Sequence, residues 1–556
     1  MRIRSTLLPL AIPALAVGLV VSGCSSGTRS QTSNTNIGIT NDINPKPVSE
    51  LREGGNLRLS LSKIPATFNY LDVDGDDQDT AAVIDPLLPS AVVSDAAGEI
   101  SINHNYFTDI KLTNTNPQQV TYTINPKAVW SDGTPITWED LRSGANALSG
   151  ADNRYLVAFT SGFDRVAKVE RGVDDRQAVV TFNKPYAEWK GMFSPLYPKA
   201  VTVSPQAFSD FARNGLPISS GPFVITNIDR TQNRITLGRN PKWWGDTPKL
   251  DTITFNVLDN SAEVAAIQNN ELDYTQVTGL SDVTTARNSP GVVVHEAPEP
   301  SFDVITFNGA PGAILSDPKL RAAIAKGIDR QTLADNWLNG IVKSPRVLNN
   351  HIFMEGQKGY QDNSGPLTYN LDEAAKELDA LGWKMNGNIR EKDGRKLELR
   401  DVMYQFDPWV RVAKIIQADL AKIGVQVDIQ TIPGQGLFTN IINPGNFDLA
   451  QHAWGGSIFP LGALGQIYAW DPNNQQSNHA RIGSPELNTL INETLSELDP
   501  NKAIQLANQC DKMIWDEVHS LPLFQSAGTY ATRANLANIG AFGLATADWT
   551  KVGFLN

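Results

Sequence analysis

The sequence predicts an α/β protein of several domains, and three observations carry that expectation. Short segments rich in β-branched residues alternate with amphipathic helical stretches from Gly54 onward, which argues against separate all-β and all-α halves. The chain has 556 residues, more than one hydrophobic core sustains, so two or three domains are expected. No self-similarity recurs at periods of about 20–50 residues, which sets aside solenoids and propellers.

The elements follow in chain order. Residues 1–23 open with Arg2 and Arg4, run apolar from Leu7 to Val21 and end on small residues, the pattern of a secretory signal peptide. Pro9 and Pro13 interrupt the run and no second anchor follows, which separates it from a permanent membrane helix. Val21-Ser22-Gly23-Cys24 matches the bacterial lipobox, so cleavage before Cys24 and lipidation of its thiol are expected; an ordinary signal with an incidental cysteine is the alternative. Residues 25–50 have no aromatic side chain and no helical period. They read as a flexible tether spanning about 25–30 Å, from roughly 5–6 Å times the square root of its length.

Strands are expected at 56–62, 120–124, 177–182 and 252–257 from β-branched content and alternation. Residues 223–238 read as a hairpin turning near Thr231-Gln232-Asn233. Helices are expected at 138–148, 262–270, 319–327, 372–381, 410–423, 486–497 and 501–517. The first opens on Thr137-Trp138-Glu139-Asp140, which resembles a capping box. Pro- and Gly-rich punctuation near 214–222 and 308–318 marks candidate domain crossings.

Composition narrows the function. Apolar residues make up 41% and charged residues 19%, an ordinary globular balance, and the formal charge is −12. Nucleic acid is excluded as a partner, because displacing its counterions takes concentrated Lys and Arg, and no basic stripe occurs. With only two cysteines there is no disulfide framework. If Cys24 carries lipid, Cys510 is a lone thiol buried on a helix; a Cys24–Cys510 bridge is the alternative.

Catalytic signatures are missing. There is no G-x-S-x-G elbow, Walker loop or H-E-x-x-H. Gly434-Gln435-Gly436 lacks the third glycine of a dinucleotide fingerprint, Thr439 standing in its place, and Ser60-Leu61-Ser62-Lys63 has none of the companion motifs of a serine acyltransferase. His104, His295, His351, His452, His479 and His519 share no ligand spacing, so no metal site is assigned. The acidic run 71–79 looks like a calcium loop until Asp77 is found where the glycine belongs and Val83 where the bidentate glutamate belongs. A solvated loop, a ligand-facing acidic rim and a metal site are the three readings of it.

Several blocks in order resemble the family 5 extracellular solute-binding proteins, receptors of ABC importers for peptides and nickel. They are AVWSDGTPITWEDL (128–141), GPFVITNIDRTQNRITLGRNPKWWGDTPKLDTITF (221–255), LRAAIAKGIDRQTL (320–333), ELDALGW (377–383), LAKIGVQVDIQ (420–430), FDLAQHAW (447–454) and HSLPLF (519–524). The likeness covers nearly everything after residue 54 and is greatest to the oligopeptide-binding (OppA-type) lipoproteins of mycobacteria and related actinobacteria. It implies a type II periplasmic-binding-protein fold, with two lobes around a cleft and a small subdomain in the first lobe. The implied order is signal peptide 1–23, lipidated cysteine and tether 24–53, lobe I at 54–92, its subdomain at 93–197, lobe I again at 198–304, lobe II at 305–505 and lobe I at 506–556.

The resemblance also implies a role: capture of oligopeptides, with delivery to two membrane-spanning permease subunits and two ATPases. The receptor itself would be a monomer held by lipid on the extracytoplasmic face of the cell membrane, with no catalytic residue and no cofactor, ATP included. The alternatives are the same fold carrying a nickel chelate, haem, a sugar or a modified peptide, or a secreted hydrolase.

Carried over residue by residue, the cleft-lining segment after Phe447-Asp448 places Ala453, Trp454 and Gly455 against the peptide backbone, with Gly455 and Gly456 giving close approach. Ordinary core packing is the other reading of Trp454. Two positions depart from the family. Ser457 stands where many members hold the peptide ammonium with Asp, and Gln451 where some carry Arg. The second peptide-lining segment falls at Asp76, Asp77 and Gln78, so Asp76 or Asp77 is the expected substitute for ammonium recognition. Arg346, His351 and Arg411 are unranked candidates for the peptide carboxylate.

Overall fold

The computed structural model describes residues 40–433 and 436–556. The signal peptide, Cys24, most of the tether and the first two residues of Gly434-Gln435-Gly436 lie outside the described residues.

Local pattern set the elements. The strands Asn56–Leu61, Gln118–Ile124, Gln177–Phe182 and Thr252–Val257 form where alternation predicts them. Phe223–Asp229 and Arg234–Arg239 pair as the expected hairpin. All seven expected helices are present, from Trp138–Leu148 to Pro500–Asp516. The first is closed by a true capping box between Thr137 and Asp140. Asp140 also accepts the Lys199 N–H at 2.8 Å, so one carboxylate fastens two helix starts.

Four sheets of three or more strands position the site. Asn56–Leu61, Thr252–Val257, Arg234–Arg239 and Phe223–Asp229 form one. Inserted between its first strand and the rest is an antiparallel sheet of Phe107–Thr115, Gln118–Ile124, Gln177–Phe182 and Val166–Arg171, the subdomain. Trp243 and Trp244 seal the seam between them: both rings pack on Tyr106, and the Trp244 indole donates to the Asn105 carbonyl at 3.0 Å. The third sheet has five strands, in the order Gln426–Ile432, Glu398–Tyr404, Leu449–Gly455, Ser301–Phe307 and Ser520–Gln525. The fourth joins Tyr274–Gln276, Thr529–Arg533 and Val292–Glu296.

The boundary expected at 304/305 falls inside the strand Ser301–Phe307. Ser520–Gln525 pairs with it, although 506–556 was expected with lobe I. Ser301–Phe307 and Ser520–Gln525 are neighbouring strands of the five-stranded sheet, with a bulge between Asp303 and Val304.

Two arginines of the block 320–333 hold the fold together. The Arg321 guanidinium donates to the carbonyls of Leu315, Ser316, Glu517 and Val518. Arg330 donates to the carbonyls of Leu348 and Pro522 and lies over the Trp515 ring. Each replaces lost hydration with carbonyl dipoles, though burial still lowers both guanidinium groups to about 10. Cys510 is a buried free thiol beside Thr494 Oγ1 at 3.3 Å, and burial pushes it up to about 11.

Candidate functional site

A cavity of about 490 Å³ lies between the subdomain and the five-stranded-sheet lobe. The subdomain contributes Phe159, Phe163, Tyr186, Glu188 and Phe193, and the opposite wall Phe302, Met354, Trp454, Phe459 and Tyr468. The loop 455–462 spans the two walls, and Phe459 sits so tightly over Gly191 that a Cβ there would meet its ring at 2.7 Å.

The strand Leu449–Gly455 brings backbone to this cavity. Along one edge it pairs with Ser301–Phe307 over its whole length, from Phe307↔Leu449 to Ser301↔Gly455. Along the other it meets Glu398–Tyr404 only at Asp401↔Leu449 and Val402↔Ala450. From Gln451 to Gly455 that edge has no strand partner among the described residues. Unpaired N–H and C=O groups on such an edge are a template for an added extended chain.

Trp454 is half-buried and lines the cavity, its indole stacked on the His479 imidazole with centroids 5.4 Å apart and planes 1° apart. Trp454 thus packs against a buried imidazole and borders the cavity at once. A Cβ on Gly455 would meet nothing within 4 Å, so open space stands before it. Gly456 is different: its Cβ would lie 2.1 Å from the Pro300 carbonyl oxygen. The Cβ side of Gly456 is thus taken by the protein's own backbone, while Gly456 itself lines the cavity. Ser457 lines the cavity, but its hydroxyl accepts from Phe459 N at 2.9 Å and donates to Phe459 O at 3.1 Å.

Of the acidic run 71–79, Leu71 lines the cavity, whereas none of the carboxylates nor Gln78 is among the lining residues. Asp77 accepts from Thr80 N at 2.8 Å as a helix cap and pairs with Lys63 at 2.8 Å. Asp76 stands one step behind the wall, facing the phenol of Tyr70, which does line the cavity. Gln78 is exposed in the first turn of the following helix. Asp74 pairs with Arg213 at 2.9 Å, and Asp79 accepts from Ser62 N at 2.8 Å, so most of this run is engaged by the chain's own donors. Ala453 is exposed on the strand but is not among the cavity-lining residues.

Gln451 points away from the cleft. It is buried and donates to Asp401 Oδ2 at 2.6 Å. Asp401 Oδ1 and Gln451 Oε1 have no hydrogen-bond partner among the described residues. Desolvation, only partly offset by that amide, pushes Asp401 up to about 8. Asp303 is likewise pushed to about 8 by desolvation. Both carboxyls are on the sheet and away from the cavity lining, so neither offers charge to a ligand. Burial also lowers His452 to about 3 and His479 to about 4, keeping the imidazoles around Trp454 neutral.

Of the unranked basic candidates, Arg346 pairs with Glu355 at 2.7 Å and Arg411 is exposed on its helix; neither lines the cavity. His351 does, with Nδ1 at 2.8 Å from Asp511 and Nε2 at 3.1 Å from the Ser520 carbonyl.

Glu188 is the residue that sequence reasoning missed. Its carboxylate reaches from the subdomain to the opposite wall and accepts from Leu461 N at 2.9 Å and Gly462 N at 2.7 Å. Desolvation pushes it up to about 7 in spite of those two bonds. Beside it the Ser161 hydroxyl donates to the Gly462 carbonyl at 3.1 Å. The signal in the sequence was faint: one acid inside the aromatic stretch Tyr186–Phe193.

Comparison with known proteins agrees with this architecture. The model for bacterial extracellular solute-binding proteins, family 5 Middle, matches residues 107–476. An oligopeptide-binding protein OppA of Mycobacterium tuberculosis strain H37Rv is 51% identical over 550 residues, 97% of this chain and 93% of that protein. Among solved structures, a periplasmic EDTA-binding protein EppA superposes with a TM-score of 0.86 at 23% identity, covering 94% of this chain and 100% of that one. The oligopeptide-binding protein AppA of Bacillus subtilis, in complex with a nonapeptide, gives 0.79 at 21% identity over 91% and 100%. Such distant likenesses speak for the fold: a type II periplasmic-binding-protein architecture of two lobes around a cleft. With a family model over most of its length and a relative sharing half its residues, the chain belongs to the family 5 bacterial extracellular solute-binding proteins.

Proposed function

We propose that this protein captures oligopeptides in the cavity between its lobes and hands them to the permease of an ABC importer, whose ATPases are separate subunits. The Gln451–Gly455 edge, unpaired among the described residues and reaching the cavity at Trp454 and Gly455, carries the reading, because an extended peptide can add to it as a strand whatever its side chains. The mycobacterial relative named as an oligopeptide-binding protein supports it. Trp454 and Gly455 would face the bound chain, Ala453 would offer backbone, and Ser457 would close the loop beside it. Asp76 would act through Tyr70, with Asp77 and Gln78 at the rim. Binding without turnover is the whole of its chemistry.

Closure would hinge on the crossing strands Ser301–Phe307 and Ser520–Gln525, with lobe I at 54–92, 198–304 and 506–556, its subdomain at 93–197 and lobe II at 305–505. A lipid on Cys24 would hold a monomer at the outer face of the cell membrane. Fractionation tests the anchor: Cys24→Ala is expected to move the protein from the membrane to the soluble fraction, and an unchanged distribution defeats it. Native mass spectrometry of the gently purified protein tests the cargo. A ladder of adducts with peptide masses is expected, whereas a single non-peptide mass would transfer the reading to another ligand.

A further inference from the structure

Among the described residues lining the cavity, Glu188 is the only one with a formally charged side chain at neutral pH, and both of its oxygens are engaged. One carboxylate oxygen accepts from Leu461 N and the other from Gly462 N. His351 is held at both ring nitrogens. Among the described residues, no Lys, Arg or Asp lines the wall. The two positions from which charge is expected offer none: Ser457 folds its hydroxyl onto Phe459, and Gln451 turns behind the strand to Asp401. What remains is aromatic and aliphatic, including Phe159, Phe163, Phe302, Trp454, Phe459 and Tyr468. Scattered hydroxyls and amides such as Ser90, Gln357 and Gln466 suit a peptide backbone but not an ion. A carboxylate enclosed here would lose its water and meet no cation, and an ammonium would meet only the Glu188 carboxyl, already engaged by two N–H groups and raised by burial to about 7.

From this wall, and resting on the peptide reading above, we infer the class of cargo. The enclosed portion is an uncharged, apolar stretch of peptide, internal or end-blocked, bearing aromatic or aliphatic side chains, with any ionised terminus left outside. The cavity, about 490 Å³, falls in the range of roughly 300–1,000 Å³ typical of small-ligand pockets. It therefore encloses a few residues of a longer chain.

The experiment incubates the purified protein, freed of retained cargo, with two pools of randomised pentapeptides, one free-ended and one N-acetylated and C-amidated. Bound species are read by mass spectrometry. The blocked pool is expected to be retained at least as well as the free one. Retained peptides should be about tenfold enriched in Phe, Trp, Leu, Ile or Met at two adjacent positions, and depleted of Asp, Glu, Lys and Arg there. Retention confined to the free-ended pool, or tolerance of charge at every position, overturns the inference while leaving a peptide receptor standing. If neither pool binds, the receptor reading itself falls and takes the inference with it. The Ser457→Asp variant supplies the missing carboxylate at an exposed lining position. It should shift retention toward free-ended peptides about tenfold, and an unchanged ratio counts against the inference.

Discussion

The two segments that the sequence marked for cargo, 71–79 and 451–462, behave oppositely. In the first, carboxylates crowd together, yet Asp74, Asp77 and Asp79 are occupied by Arg213, by Lys63 with Thr80 N, and by Ser62. In the second there is no charge at all, yet a backbone edge stands unpaired and Gly455 faces open space. Polar side chains in a row are thus a poor guide to a binding site. What counts is which groups the fold leaves without partners.

Neighbouring glycines give the largest test of that contrast. Gly455→Leu should fold normally, because its side chain enters empty space, and should weaken peptide binding by about a hundredfold or more, roughly 2.7 kcal/mol. Gly456→Ala should instead cost about 1–3 kcal/mol of stability, since its methyl collides with the Pro300 carbonyl. Chemical denaturation and calorimetric titration of both variants decide the matter; if Gly456→Ala is the stable one and Gly455→Leu unfolds, the contrast is broken.

Glu188 extends the test to the far wall. Glu188→Ala leaves the N–H groups of Leu461 and Gly462 without their acceptor, a cost of about 1–3 kcal/mol for a buried group. The cost falls on the contact between subdomain and lobe, so cargo should dissociate about tenfold faster or more. Stopped-flow release of a fluorescent peptide checks this, and an unaltered rate would show that the bridge does not hold the cleft shut.

Acid–base behaviour comes next in size. Asp401 titrates near 8 when folded against 3.8 for an ordinary aspartate, so the folded state holds the extra proton between these values. Its contribution to stability is complete below about pH 4 and declines as pH rises toward 8, by about 1.4 kcal/mol per pH unit at most. Asp303 and Glu188 run in the same sense, while His452 and His479, lowered by burial, lose stability as pH falls. The informative quantity is therefore the difference between Asp401→Asn and the parent protein. The variant should gain in relative melting temperature from pH 5 to pH 8, and parallel curves would show that Asp401 is ionised throughout.

The smallest effects belong to the acidic segment. Asp76→Asn and Asp77→Asn should change affinity for a free-ended peptide by less than about threefold, and Asp77→Ala should cost about 1 kcal/mol of stability through its cap. A tenfold loss of affinity in either Asn variant would return ammonium recognition to this loop and reverse the contrast.

Sequence alone determined a good deal. Alternation and helical spacing located four strands, one hairpin and all seven expected helices, because those periods are imposed by the backbone within a few residues. The capping box at Thr137 and the turn between Asp229 and Arg234 were legible for the same reason. The ordered blocks indicated the family, since residues such as Arg321 and Arg330 have to satisfy particular carbonyls of the fold. Tertiary structure decided the rest. Lys63 engages Asp77, Gln451 turns to Asp401, Pro300 presses on Gly456, and Glu188 crosses to residues 273 and 274 positions away. A carboxylate or a glycine acquires its role from whatever lies within hydrogen-bonding or van der Waals reach. Apart from local turns and caps, that neighbour is chosen by how distant strands and loops pack.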